Sequence, residues 1–378
     1  MVGYRGFASL LTQALVLDRL RARDTLGGII GTRRLVPTYI RGDGKHRIPR
    51  LYGRAGRYGA DHGMSAASFY AYFRFDRSDI PRLARALGVP LVFRCSKNGS
   101  VINGDEGLLV FLYRLAYPCR LVEMSIFFNR SEGALSEIIR AVGEHLEEIA
   151  ERKLVRFDPR KWAEHAPVFA RSIYLKGSPL KRCWGFVDGK FVPIARPGKD
   201  GYAGPLQRAF FSGYKRQHGM QFQGFVAPNG LFIEMNGPYA AVTNDVSMFN
   251  RSELFDRLCD VTVRLDHYVY AFADCGYQIL HVLLGPRPSL PSMTRRDKIF
   301  NRKMSRMRVS VEWSFGKITQ LFAFCDFKKN FKLGKQPVGS YWLIATLLTN
   351  CHSCLYGNQT AQYFSLPPPS LEYYMQRL

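Results

Sequence analysis

Two aspartates interrupt apolar runs at the same kind of place. Asp188 closes Cys-Trp-Gly-Phe-Val-Asp-Gly and Asp274 closes Tyr-Ala-Phe-Ala-Asp-Cys-Gly, so each carboxylate is expected at the C-terminal end of a strand, just before a glycine. An ionised carboxylate in such a half-buried position is costly unless it is paired or coordinated. A third acid, Glu312, stands one position off the inward stripe of a later helix. Oxygen ligands of this kind, together with water and phosphate oxygens, suit Mg²⁺. Each acid also has a plainer reading. A strand-end Asp before Gly forms turns, Glu312 can pair with Arg308 at i−4, and Asp245 can be the N-cap of the helix that follows it. What sets them apart is their order: Asp on a first strand, Asp on a later strand after a hairpin and a helix, then Glu on a subsequent helix.

The elements that must position these acids are legible in the patterning. Cys183 to Val187, Met220 to Ala227, Leu231 to Met235 and Tyr268 to Ala273 read as strands, and Pro228-Asn229-Gly230 turns the middle two into an antiparallel hairpin. A helix is expected from Asn244-Asp245 through Leu258. The last long helix, starting from an Asn301 cap, carries Met304, Met307, Val311, Phe315 and Ile318 inward. Strand, hairpin, helix, strand implies a mixed sheet with helices against it, an α/β fold.

Before the sheet the periodicity is helical. Asp76 and Ser78 can cap a helix with Pro81 in its first turn. Glu106 to Pro118 continues the region, and Arg120 to Phe128, a turn at Asn129-Arg130, and Glu132 to Ala150 capped by Ser131 outline a helix-turn-helix. Such a pair either packs or puts its second helix into a DNA major groove. Residues 1–68 are rich in Gly and Arg and read as a basic arm with irregular turns, with a short helix at 7–20; an organelle transit peptide is the rival reading. Tyr341 to Leu355 is expected to pack, and Pro367-Pro368-Pro369 marks a tail across the surface.

Composition bounds the function. With 378 residues and 47% apolar, the chain can build sizeable cores. Its 54 Lys and Arg against 30 Asp and Glu leave a net charge of +24, which favours a polyanionic partner, nucleic acid before an anionic membrane surface. The apolar stretch Leu108 to Pro118 is too short for a membrane span and carries Arg114, so a soluble protein is expected. Eight scattered cysteines imply a reducing compartment, and the lone pair Cys351 and Cys354 lacks the partners of a zinc site. Residues 287–308 hold eight Arg and Lys against one Asp, just ahead of Glu312. Arg295, Arg296, Arg302, Lys303 and Arg308 there, Lys215 and Arg216 before the hairpin, and Lys190 beside Asp188 are the candidate phosphate contacts.

Several blocks in this order resemble the DDE nucleases of PIF/Harbinger-type transposases and their domesticated Harbinger-derived relatives. They are Gly-Phe-Val-Asp-Gly-Lys at 185–190, Phe-Ser-Gly-Tyr-Lys-Arg-Gln-His-Gly at 211–219, Gly-Pro at 237–238 with Asn-Asp at 244–245, Ala-Asp-Cys-Gly-Tyr at 273–277, and Arg-Val-Ser-Val-Glu-Trp-Ser-Phe-Gly at 308–316. The resemblance spans roughly 70–360. It implies an RNase H-like mixed sheet flanked by helices, preceded by an all-helical region with a helix-turn-helix, and a catalytic triad of Asp188, Asp274 and Glu312. Asp245 matches a further acid near the metals, usually preceded by His, where this chain has Asn244. The implied cofactor is a pair of Mg²⁺ or Mn²⁺ ions, bridged by Asp188 and held one each by Asp274 and Glu312, which activate water or a 3′-hydroxyl for in-line attack on a phosphodiester. No covalent protein–DNA intermediate is needed.

The division expected is an arm at 1–68, a helical DNA-binding region at 69–165, an RNase H-like DDE nuclease domain at 176–357 and a tail at 358–378. The function expected is metal-dependent cleavage of DNA at transposon ends, the terminal inverted repeats, with strand transfer. A homo-oligomer, a Myb-like accessory protein, a nuclear location (cytoplasmic without that partner) and no membrane association go with it. The alternatives are a domesticated nuclease without transposition, and a DNA-binding protein whose acids are structural.

Overall fold

The computed structural model describes residues 64–94, 101–198, 203–290, 292–329, 331–333 and 336–378. The expected arm, up to residue 63, and its helix at 7–20 lie outside them. Residues 64–68 depart from the arm reading: the Ser65 hydroxyl accepts the Ser68 N–H at 3.1 Å and caps helix α1 (Ala66–Phe73), which buries Phe69 and Phe73. A 3₁₀ turn at Arg77–Asp79 leads into α2 (Ile80–Ala86), and Asp76 makes no side-chain cap. The antiparallel pair β1 (Val92–Arg94) and β2 (Val101–Asn103) precedes α3 (Gly104–Ala116), which is buried along nearly its whole length. Then come α4 (Leu121–Phe128) and α5 (Glu132–Ala150), joined through Asn129 in the left-handed region and capped by Ser131, as the sequence predicts. Short helices α6 (Pro159–Ala163) and α7 (Ala166–Leu175) complete this part.

The sheet is built on β3 (Cys183–Pro193), longer than the apolar run suggests. After α8 (Ala203–Ala209) and the two-residue β4 (Phe211–Ser212), β5 (Gln217–Val226) and β6 (Phe232–Ala240) form the hairpin. The expected single helix to Leu258 is two, α9 (Asp245–Ser252) and α10 (Leu254–Leu265), separated by Glu253 at φ 55°. Strands β7 (Tyr270–Phe272) and β8 (Leu283–Leu284) follow. The order is β4-β5-β3-β7-β8, with β6 also on β5; β3, β5 and β6 are antiparallel neighbours, whereas β3, β7 and β8 run parallel. This is the expected RNase H-like mixed sheet.

Helix α11 (Arg295–Leu321) starts six residues before Asn301. Its cap is Thr294, in a reciprocal capping box with Asp297, while Asn301 instead bonds the backbone of Arg287 in the preceding loop. Met304, Met307, Val311, Phe315 and Ile318 are all buried, as the stripe requires. Helix α12 (Val338–Tyr356) runs through the core. Residues 358–378 are not a surface tail: α13 (Gln359–Phe364) stacks Phe364 on Phe186 of β3, and α14 (Leu371–Arg377) buries Leu371 and Tyr374. One cluster of buried apolar side chains extends from Phe69 to Leu378. No described helix is long and apolar enough to cross a membrane.

Candidate functional site

Register places the first two acids. In the parallel pair, Phe186 stands beside Phe272, and each chain reaches its aspartate two residues later. Side chains two apart share a face, so Asp188 and Asp274 leave neighbouring strands at the same level and side. On its other edge Asp188 is paired with Gly224 of β5. A Cβ at Gly224 would sit 2.8 Å from the Phe315 ring, so this glycine lets α11 lie close on the sheet. That approach brings Arg308 and Glu312, on the turns just ahead of Phe315, over Asp188.

Arg308 joins them. Its Nη1 donates to Asp188 Oδ2 at 2.8 Å and its Nη2 to Glu312 Oε1 at 3.2 Å, so one guanidinium spans two of the three triad positions. The i−4 pairing of Glu312 and its place in the acid set are thus both present. Asp274 is oriented by its own turn, with the Gly276 N–H donating to Oδ1 at 2.5 Å.

Asp245 is the first residue of α9 rather than its cap; the cap is Asn244, whose Oδ1 accepts the Ser247 N–H at 2.8 Å. Its carboxylate lies between β3 and the turn after β7. Oδ1 is 2.7 Å from where a Cβ at Gly189 would be, and Oδ2 is 2.4 Å from the corresponding point at Gly276. Asp274 Oδ1 is 3.0 Å from that same point on Gly276. Two glycines, each next to or near a strand-end aspartate, are what allow a fourth carboxylate in.

The charges are under-compensated. Burial pushes the Asp188 carboxyl up to about 6, with the negative charges of Asp274 and Glu312 adding to the rise and Arg308 opposing it. Burial, then the charge of Asp274, also raises Asp245. Tyr277, three residues after Asp274, is buried and feels Asp245, Asp188 and Asp274. Among the described residues, no three acidic, histidine or cysteine side chains are closed around a point where one metal ion would sit. The donor set is nevertheless all oxygen, and it holds more negative charge than Arg308 neutralises. Hard divalent cations fit that deficit, with Asp188, Asp245, Asp274 and Glu312 as the residues to hold them.

The basic residues divide into two groups. Lys215 and Arg216 are exposed on the β4–β5 turn, with the Lys215 ammonium 5.1 Å from the centre of the exposed Tyr214 ring. Arg295, Arg296, Arg302 and Lys303 are exposed on the first half of α11, and no acid among the described residues pairs with them. Lys190 shares the face of Asp188 and is half-buried. Arg308 belongs with the acids and is not a free phosphate contact.

The helix-turn-helix outline is present, and the exposed face of its second helix is rich in acids. Exposed positions of α5 include Glu132, Glu144 and Glu148, and Arg140 is bound to Glu137 and Glu144. A phosphate backbone would be repelled there. Cys351 and Cys354 lie on α12, where burial pushes both thiols up, to about 12 for Cys354, opposing the thiolates zinc needs.

Gly189, Gly276 and Tyr277 show in the sequence only as the Gly-Lys after Asp188 and the Cys-Gly-Tyr after Asp274, with nothing there to mark them as parts of the site. No curated protein and no solved structure matches this chain. Residues 187–350, which open one position before Asp188 and take in Asp245, Asp274 and Glu312, match the family model of the DDE superfamily endonucleases, nucleases that generally use divalent metals.

Proposed function

We propose that this protein is a metal-dependent DNA endonuclease of the PIF/Harbinger type that cuts phosphodiester bonds at transposon ends and passes the freed 3′-hydroxyl to target DNA. The observation that carries the reading is the meeting of Asp188 and Asp274 at one level of adjacent parallel strands, with Glu312 tied to Asp188 through Arg308. A nuclear location, a Myb-like accessory protein and a homo-oligomer belong to the same proposal.

The chain's own residues divide the work. Asp188 is placed by the β3–β5 ladder and Asp274 by the Gly276 N–H, so both carboxylates stand in position, Asp188 with one oxygen on Arg308. Glu312, more exposed on its helix, is free to turn once Arg308 lets go. Bound at these oxygens, a divalent cation pair would activate the attacking hydroxyl and stabilise the leaving oxygen. Arg302, Lys303, Lys215 and Arg216 would grip phosphates on either side, giving affinity that falls with salt and carries little sequence information.

A second reading, a DNA-binding protein without catalysis, is favoured by one feature: the Arg308 guanidinium already satisfies part of the acid set. Metal removal separates the two. The purified chain is incubated with supercoiled DNA carrying an inverted-repeat end, with Mg²⁺ or Mn²⁺, and then with excess chelator. Nicking that disappears with chelator and returns on adding Mn²⁺ supports the nuclease. Retained DNA binding with no cleavage under any divalent ion establishes the binder.

A further inference from the structure

Tyr277 is 6% exposed, its ring meets Phe249 of α9 edge-on at 6.2 Å between centroids, and its hydroxyl has no hydrogen-bond partner among the described residues. A buried hydroxyl left unpaired destabilises a fold. The negative charges that act on it are, in descending order, those of Asp245, Asp188 and Asp274. Its backbone N–H donates to the Asp274 carbonyl at 3.3 Å, so the residue belongs to the turn that carries that acid. A buried donor without an acceptor therefore lies within the field of three carboxylates, and one of them, Asp245, carried on the same helix as Phe249, fits against Gly189 and Gly276 and accepts no side-chain hydrogen bond among the described residues.

We infer that Tyr277 is a positioning residue for this site, whose phenolic O–H is reserved for the Asp245 carboxylate in the cation-loaded protein. In the resting arrangement the donor is idle. With cations present, one Asp245 oxygen turns to the ion and the other accepts the phenol, which fixes the carboxylate's orientation as outer partners of metal ligands do. The inference rests on the proposed metal-dependent reading, because it gives the hydroxyl a use only in the loaded state.

Tyr277→Phe removes one oxygen from a buried position and changes nothing else in the core. The expected result has two parts. The melting temperature of the metal-free protein is unchanged or higher, since an unpaired hydroxyl is gone. Mn²⁺ affinity, measured by titration calorimetry on the full chain, falls by about tenfold or more. A purely structural tyrosine gives the opposite pattern, a lower melting temperature with Mn²⁺ affinity intact, and that outcome overturns the inference. Wild type that binds Mn²⁺ as tightly as the variant overturns it too, while leaving the nuclease reading standing. Wild type that takes up no Mn²⁺ removes both.

Discussion

Asp188→Asn, Asp274→Asn and Glu312→Gln are each expected to lower metal-dependent nicking by on the order of a hundred- to a thousandfold or more, with DNA binding retained. Each replacement keeps shape and one carbonyl acceptor but removes a charged oxygen, so the loss reports cation binding and charge stabilisation rather than folding. Asp188 adds a signature of its own in the metal-free protein. Its carboxyl is pushed up to about 6 by burial, so the folded chain prefers it protonated. The stability this proton supplies is complete below the ordinary carboxylate pKa, near 4, and is lost as pH rises through about 6. Asp188→Asn keeps the neutral form at every pH. Thermal denaturation at pH 7.5 in chelator is therefore expected to find the variant more stable by up to about 3 kcal/mol, a gap that closes as pH falls toward 4. An inactive variant that is also less stable at pH 7.5 would show that the carboxylate is structural.

The largest effect on stability is expected at a different carboxylate. Glu234 of β6 is 1% exposed and accepts from the Phe157 N–H at 3.2 Å, from Arg257 Nε at 2.8 Å and Nη2 at 2.7 Å, and from Asn236. Arg257 of α10 also donates to the Ser252 carbonyl at 2.7 Å, closing the left-handed break between α9 and α10. Arg257→Met strands a buried negative charge and should cost about 3 to 5 kcal/mol by urea denaturation. Because the pair holds α9 and α10 against the hairpin, Asp245 should shift with it, and Mn²⁺ affinity should fall in parallel. A loss below about 1 kcal/mol would mean water replaces the guanidinium at little cost.

The parts of this architecture that announced themselves in the sequence were those governed by short-range period. Five residues from Met304 to Ile318 at helical spacing, and a Pro-Asn-Gly turn between apolar runs, were enough to place α11's buried face and the β5–β6 hairpin. The full length of β3 was hidden because Asp188, Gly189 and Lys190 break its apolar run where the strand leaves the core for the site. The start of α11 was hidden because seven of its first fourteen residues are Arg or Lys, which mask the Thr294–Asp297 box as mere surface charge. Asp188 and Asp274 could be singled out by type and order, and Arg308 by its i−4 spacing to Glu312. That the same guanidinium reaches Asp188, that two glycines admit Asp245, and that the Tyr277 hydroxyl is buried without a partner are products of chain segments up to 120 residues apart, which no local pattern encodes.

The last helix has a consequence for how the molecule is made. Asn350 of α12 bonds both backbone groups of Phe232 and also donates to the Tyr374 hydroxyl, while Glu372 grips Arg82 through two hydrogen bonds. The hairpin, the N-terminal helices and the final turns thus share one set of contacts, and the strands that carry Asp188 and Asp274 are synthesised well before the segment that completes their packing. During translation β3, which carries Asp188, stays partly uncovered until Phe364 leaves the ribosome and stacks on Phe186. A chain released early would expose the apolar face around Phe186 and α12, so prematurely terminated copies are expected to aggregate rather than fold.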